Sequence, residues 1–318
     1  MSVTSQLRDI QKKSDSIICL GLDLDPKKMP AELGKTSKGM FDFATRIIEA
    51  TKDIVCAYKP NIAFYESLGP EGLSLLDVIL KRVPDDIPII LDAKRGDIGN
   101  TAAHYAQALF GRFRADWVTV NPYMGYDSIR PFLDFQDKGV FVLCLTSNPG
   151  SKDFQTLRVE GRPLYELVAE KVAYWNKDQN FGLVVGATAP EQLKLIRNIA
   201  GEMPLLIPGV GAQGGSLEKA ALDGTSNFTR VGVINVSRSV LYASREADFA
   251  DRAREELTKL NSAVAVLRKK DNDAPQAESQ PGEQAQPAPP AEAQPVEQGQ
   301  PEPEQPAEQA PPAESDSN

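Results

Sequence analysis

"IPIILDAK" (87–94) opens as an aliphatic run and ends in Asp92 and Lys94, and "RGDIGNTA" (95–102) adds Arg95 and Asp97 directly behind them. The first half has the composition of a strand covered on both faces. Charge at the end of such a strand is costly unless it is paired or used. In a parallel barrel it is used, because the chemistry of that architecture gathers at the carboxyl ends of the strands. If the fold is of this kind, the other apolar runs should also end in polar residues.

The runs with strand character are "SIICLGLD" (16–23), "IVCAYKP" (54–60), "IPIILDAK" (87–94), "WVTVNP" (117–122), "GVFVLCLT" (139–146), "FGLVVGA" (181–187), "PLLIPGV" (204–210) and "RVGVINVS" (230–237). Between most of them lie stretches with helical spacing, such as "FDFATRIIEATK" (41–52), "RPLYELVAEKVAYW" (162–175) and "EQLKLIRNIA" (191–200). Eight β–α repeats in about 250 residues predict a closed (β/α)8 (TIM) barrel. The alternative is an open doubly wound sheet. Polar residues do crowd the strand ends: Asp23, then Lys59 and Asn61, Asp92 and Lys94, Asn121, and Thr146 with Ser147 and Asn148. The seventh run leads into "PGVGAQGG" (208–215) and the eighth ends in Ser237 and Arg238. Seven of eight ends with this feature argue for one site rather than scattered surface polarity.

Composition narrows the class. The 318-residue chain has a net charge of −9, but 11 of its 44 acidic residues and none of its 35 basic ones lie in 271–318. Residues 1–270, expected to form the catalytic barrel, are therefore close to neutral, with no basic run suited to nucleic acid. The 271–318 segment is rich in Pro, Gln, Ala and Glu and has no aromatic residue, which predicts a disordered acidic tail. The first apolar run, "IICLGL", is too short for a membrane span or a signal-peptide core. Cys19, Cys56 and Cys144 sit inside apolar runs and are expected as buried thiols. With no C-x-x-C pair and a single histidine, His104, nothing suggests a metal centre, and a cytoplasmic location is expected.

Strand alternation would put Asp92 and Lys94 on one face, with Lys59 at the same height on the neighbouring strand. Asp97 follows on the loop, able to turn back toward them or toward a neighbouring subunit. The set alternates in sign, so each ammonium can lie beside a carboxylate. By charge pattern alone, a structural ion-pair network and a catalytic site are both open.

"LDAKRGDIGNTA" resembles the D-x-K-x-x-D element of orotidine 5′-phosphate decarboxylases, and "GLDLDP", "YKPN", "LTSNPG", "PGVGAQGG" and "NVSRS" resemble other signature segments of that family in the same order. The resemblance spans about residues 16–242 and is closest to the longer bacterial form. It implies decarboxylation of orotidine 5′-monophosphate to UMP and CO2 in pyrimidine biosynthesis, with no metal and no organic cofactor. It also implies roles. Lys94 is the cation and proton donor at pyrimidine C6, Asp92 lies near the substrate carboxylate, and Lys59 and Asp97 complete the network. Asp23 and Lys59 contact ribose hydroxyls, Ser147 the pyrimidine, and Gln213 and Arg238 the 5′-phosphate. Asp97 and Thr101 enter from the other subunit of a homodimer.

Elementary chemistry agrees with that assignment. Flanking carboxylates favour the charged form of a lysine, so Lys94 is expected as an ammonium, suited to proton donation rather than to imine formation. An ion pair at 4 Å is worth about 4 kcal/mol at an effective dielectric near 20, against the roughly 8–23 kcal/mol by which enzymes commonly lower barriers. Binding energy from the distant phosphate must therefore contribute, and the four glycines of "PGVGAQGG" suit a backbone cradle for it. Two alternatives stay in view: a metal-dependent sugar-phosphate lyase of the same barrel group and a non-catalytic nucleotide-binding barrel. Thr188 is expected to cap the helix that begins near Pro190. Residues 147–161 form a long connection with the character of a lid.

Overall fold

Every one of the eight aliphatic runs is a strand in the computed structural model, which describes residues 2–211 and 214–273. The strands are β1 Ile18–Gly21, β2 Ala57–Lys59, β3 Ile90–Arg95, β4 Trp117–Val120, β5 Gly139–Leu145, β6 Phe181–Val185, β7 Leu205–Pro208 and β8 Gly232–Val236. All pair in parallel, in the order β2-β1-β8-β7-β6-β5-β4-β3. Parallel bridges Tyr58–Ile89 and Asn61–Asp92 join β2 to β3 and close the ring. Strand order thus follows chain order around a cylinder, which is the expected (β/α)8 barrel and not an open sheet. Each strand packs side chains inward on one face and against helices on the other, so β1, β2, β4, β6 and β8 are buried along their whole length.

Among the helices are α1 Val3–Lys13, α2 Ser37–Thr51, α3 Gly69–Leu80, α4 Gly99–Ala106, α5 Tyr126–Ile129, α6 Leu164–Trp175, α7 Pro190–Ala200, α8 Leu217–Thr225 and α9 Phe249–Asp273, with short helical turns at Ala63–Glu66 and Arg238–Leu241. The 41–52 stretch starts earlier than its apolar periodicity indicates, because Thr36 caps α2 by accepting the Gly39 amide at 3.2 Å. Met40, Phe43, Ala44, Ile47 and Ile48 form its buried stripe. Phe43 stacks on Phe249 of α9 at 4.8 Å between ring centroids, fastening the last helix to the second. Helix α1 lies across the amino ends of the strands, where Gln11 donates to the Gly232 carbonyl at 2.7 Å and Thr4 to the Gln179 carbonyl at 2.8 Å.

Two expectations need adjustment. Ala189, not Thr188, occupies the cap position of α7, and no side chain caps that end; Pro190 at the first position brings one fewer unpartnered amide to the helix start. Helix α9 runs to Asp273, three residues past the expected barrel boundary at 270. The expected tail lies outside the described residues from 274 onward. The long connection after β5 is built rather than open: it holds a 3-10 turn at Pro149–Asp153 and a two-stranded hairpin, Arg158–Val159 with Arg162–Pro163. Gln155 ties it to the barrel by accepting the Thr146 amide at 2.8 Å. Among the described residues no helix is long and apolar enough to cross a membrane.

Candidate active site

The carboxyl ends of β1, β2 and β3 bring Asp23, Lys59, Asp92 and Lys94 to one rim of the barrel. Asp92, on β3, is the centre. Its Oδ2 accepts from Lys59 Nζ at 3.2 Å and from Asn61 Nδ2 at 3.3 Å. Its Oδ1 accepts from Lys94 Nζ at 2.6 Å and from Thr119 Oγ1 at 2.8 Å. Four donors on two oxygens leave this buried carboxylate fully satisfied.

The electrostatics follow from that geometry. Burial alone would raise the Asp92 carboxyl, but the charges of Lys59 and Lys94, with hydrogen bonds from Lys94 and Thr119, hold it well below the ordinary carboxylate range. Burial alone would likewise favour a neutral Lys59; the charges of Asp92 and Asp23 overcome this and raise it above its ordinary value. Both members of the pair are therefore ionised across the neutral range. Lys94 differs in setting: its side chain is 47% exposed, whereas that of Lys59 is 5% exposed. One ammonium is locked in the floor and the other is accessible at the rim.

Asp92 and Lys94 meet, though not by simple alternation along the strand. The β3–β4 register shifts between Leu91 and Arg95, and Lys94 sits at φ +46° in the left-handed region. Such a backbone costs about 1–2 kcal/mol for a residue with a side chain. Strain of this kind collects where function needs an otherwise unfavourable geometry. The bulge turns the Lys94 side chain back onto the carboxylate two residues earlier.

Asp23 is positioned by its neighbours on both sides of β1. Its Oδ1 accepts the Asn61 amide at 3.2 Å and its Oδ2 accepts Ser237 Oγ at 2.9 Å. Tyr242 donates to the Asp23 carbonyl at 2.9 Å and accepts the Asp25 amide at 2.6 Å, holding the "GLDLDP" segment in place. Across the mouth, Ser147 follows β5 and packs against Gly186 at the end of β6; a Cβ on Gly186 would lie 2.9 Å from that of Ser147, so glycine is required there. Arg238 is exposed and opens the helical turn after β8.

The loop after β7 folds tightly on itself, with the Gly215 amide donating to the Gly209 carbonyl at 3.0 Å. Gly209, Gly211 and Gly214 have φ of +99°, +78° and +84°, conformations that favour glycine. This loop adjoins the turn after β8, since a Cβ on Gly211 would lie 3.9 Å from Ser239 Oγ. Gln213 lies outside the described residues.

Asp97 and Thr101 do not join the cluster within this chain. Asp97 Oδ1 accepts the adjacent Ile98 amide at 2.8 Å, and Thr101 lies on the exposed face of α4. Between them Ile98 is 54% exposed, a large apolar side chain left in water by a single chain. His104 is also exposed on α4 and touches none of the charged set. Thr119 was not singled out by sequence, because a threonine between valines in "WVTVNP" reads as an ordinary strand former. Asn61 and Ser237 were visible as polar strand ends, but their partners were not.

Cys19, Cys56 and Cys144 are free and buried, as expected. Burial pushes Cys56 up to about 12 and raises Cys19 and Cys144 well above the ordinary thiol range. None is a nucleophile at neutral pH.

Comparison with known proteins identifies the family of the chain. The family model described as orotidine 5′-phosphate decarboxylase / HUMPS family matches residues 16–253. The chain is 50% identical over 258 residues to an orotidine 5′-phosphate decarboxylase of Cupriavidus necator, covering 80% of this chain and 94% of that protein. It is 45% identical over 274 residues to one of Dehalococcoides mccartyi, covering 85% of this chain and all of that protein. The OMP decarboxylase structure of Leishmania donovani superposes with a TM-score of 0.72 at 41% identity, over 85% of this chain and 99% of that one. That of Methanocaldococcus jannaschii, complexed with the inhibitor BMP, gives 0.58 at 27% identity over 77% and 98%. The chain belongs to the orotidine 5′-phosphate decarboxylase / HUMPS family.

Proposed function

We propose that this protein is a carboxy-lyase that converts orotidine 5′-monophosphate to UMP and CO2 in pyrimidine biosynthesis. The observation that carries the proposal is the Lys59–Asp92–Lys94 chain of alternating charge, with Lys94 Nζ 2.6 Å from Asp92 Oδ1 and exposed at the barrel rim.

The chemistry follows from the charge that develops. When the C6–carboxylate bond breaks, CO2 leaves and the electron pair stays on C6. No ring atom is placed to accept it, so stabilisation must come from fixed charge beside it. The Lys94 ammonium supplies that charge and then donates its proton to C6, forming the C–H bond of UMP; the resulting amine regains a proton from water. Asp92 holds the ammonium in line and keeps a negative charge next to the departing carboxylate. Lys59 keeps Asp92 ionised and, with Asp23, faces the ribose hydroxyls. Ser147 contacts the pyrimidine. Arg238 and Gln213, with the glycine loop after β7, hold the 5′-phosphate, whose binding energy is needed because one ion pair falls short of a typical enzymatic barrier reduction.

The reaction needs no metal and no organic cofactor. A divalent-metal lyase is disfavoured by the donor set: Asp92 already carries two ammonium groups and two further hydrogen bonds, and Asp23 has both oxygens engaged. Asp97 and Thr101 act across a homodimer interface, each completing the partner's site. The half-buried Asp97 and the exposed Thr101 on either side of the exposed Ile98 support that arrangement. A cytoplasmic location is in keeping with three buried free thiols. The test is the loss of orotidine 5′-monophosphate absorbance with purified protein in excess chelator. Turnover under chelation is expected; its absence, with activity on a sugar phosphate returning on metal addition, would overturn the proposal.

A further inference from the structure

Thr119 lies on the inward face of β4, 1% exposed, beside the bulge in β3. A hydroxyl offers one donor and two acceptor positions. All three are used here, on three consecutive residues. Thr119 Oγ1 accepts the Ala93 amide at 3.0 Å and the Lys94 amide at 2.9 Å, and donates to Asp92 Oδ1 at 2.8 Å. That same oxygen receives Lys94 Nζ at 2.6 Å.

The bulge explains why a side chain is needed. Pairing between β3 and β4 lapses from Leu91 to Arg95, so a regular ladder does not supply carbonyls to the amides in between. The hydroxyl takes both amides at once. This stabilises the left-handed backbone of Lys94. Its own proton then fixes the rotation of the Asp92 carboxylate. Valine has the same shape and would leave two buried amides and one carboxylate oxygen short of a partner. Serine would keep all three bonds.

We infer that Thr119 is a positioning residue of the reaction: its hydroxyl sets the Lys94 backbone and the Asp92 carboxylate together, and through them aims the Lys94 ammonium at the reacting carbon. This rests on the decarboxylase assignment above. Ground-state affinity is set mainly at the phosphate and ribose, so the effect belongs in kcat rather than in KM.

The experiment compares wild type, Thr119→Val, Thr119→Ala and Thr119→Ser for turnover of orotidine 5′-monophosphate, with melting temperature and kcat normalised to folded protein. Valine and alanine are expected to lower kcat on the order of 10²-fold, the scale of a misplaced catalytic group, while KM stays within about threefold and serine restores most of kcat. An active wild type whose valine or alanine variant keeps kcat within about threefold would overturn this inference alone, even if its melting temperature falls. So would a folded serine variant with kcat as low as valine's, which also decides the matter should valine and alanine fail to fold. A wild type without any turnover would overturn the decarboxylase assignment and this inference with it.

Discussion

Lys59 Nζ stands 3.2 Å from Asp92 Oδ2 across the seam where β2 meets β3, with only 5% and 11% of the two side chains exposed. The pair spans the seam at which the barrel closes, and it founds the charge network. Its removal should therefore register in stability and in turnover together.

Replacing Asp92 by Asn leaves Lys59 buried without its carboxylate. Breaking a buried pair on one side costs about 3–5 kcal/mol, so urea denaturation at neutral pH should show a loss of that order, with turnover abolished. The pH dependence has a definite sign. The Asp92 carboxyl is lowered by folding, so its contribution is present above the unfolded carboxylate value near ~4 and is lost as pH falls toward the folded one. Lys59 is raised by folding, so its contribution is full below the unfolded lysine value near ~10.4 and is lost as pH rises through the folded one. The difference between wild type and Asp92→Asn should be flat from about pH 5 to 9 and shrink toward both extremes.

Lys94 predicts the opposite balance. It is half-exposed and holds a strained left-handed backbone. Lys94→Gly relieves that strain while removing one of the two ammonium groups on Asp92; the two effects oppose each other, and stability should change by no more than about 1 kcal/mol. Decarboxylation should fall by at least about 10³-fold, since general acid and electrostatic stabilisation are lost together. A glycine variant with near-normal turnover would remove Lys94 from the mechanism.

Arg197 offers a control far from the reacting end. It is almost fully buried, with no carboxylate among the described residues hydrogen-bonded to its guanidinium, and donates to the carbonyls of Gly201, Met203, Gly224 and Val231 at 2.8–3.1 Å. Burial lowers it to about 10, still charged at neutral pH. These carbonyls sit around the amino ends of β7 and β8, opposite the site. Arg197→Met leaves the Gly201, Met203 and Gly224 carbonyls without the guanidinium, while Val231 keeps the Leu205 amide, and should destabilise by about 2–4 kcal/mol, with kcat and KM of the remaining folded protein unchanged at low temperature.

The proposal of a site shared between two subunits can be tested by mixing two inactive variants. In hybrids of Lys94→Ala and Asp97→Ala subunits, one site of the dimer draws Lys94 from one chain and Asp97 from the other, both intact. Random reassociation of a symmetric dimer makes about one site in four competent. Recovery of roughly a quarter of wild-type activity is expected on mixing, and none when either variant stands alone. A mixture that remains inactive while sedimentation shows exchange would argue that each chain uses its own Asp97.

Strand number, the barrel and the charged rim were legible in the sequence, because aliphatic runs and their polar ends are local patterns that a parallel barrel imposes at every repeat. Lys59, Asp92 and Lys94 were visible as charges that a buried strand must either pair or use, and the glycines after β7 as backbone freedom. The partners of those charges were not visible. Thr119 lies 25–27 residues from the atoms it binds, and Ser237 lies 214 residues from Asp23. The left-handed turn at Lys94 breaks the alternation that sequence reasoning relies on. A one-dimensional pattern encodes which face a residue presents. Hydrogen bonds between distant strands depend on register and on a single bulge, and only closing the cylinder decides those.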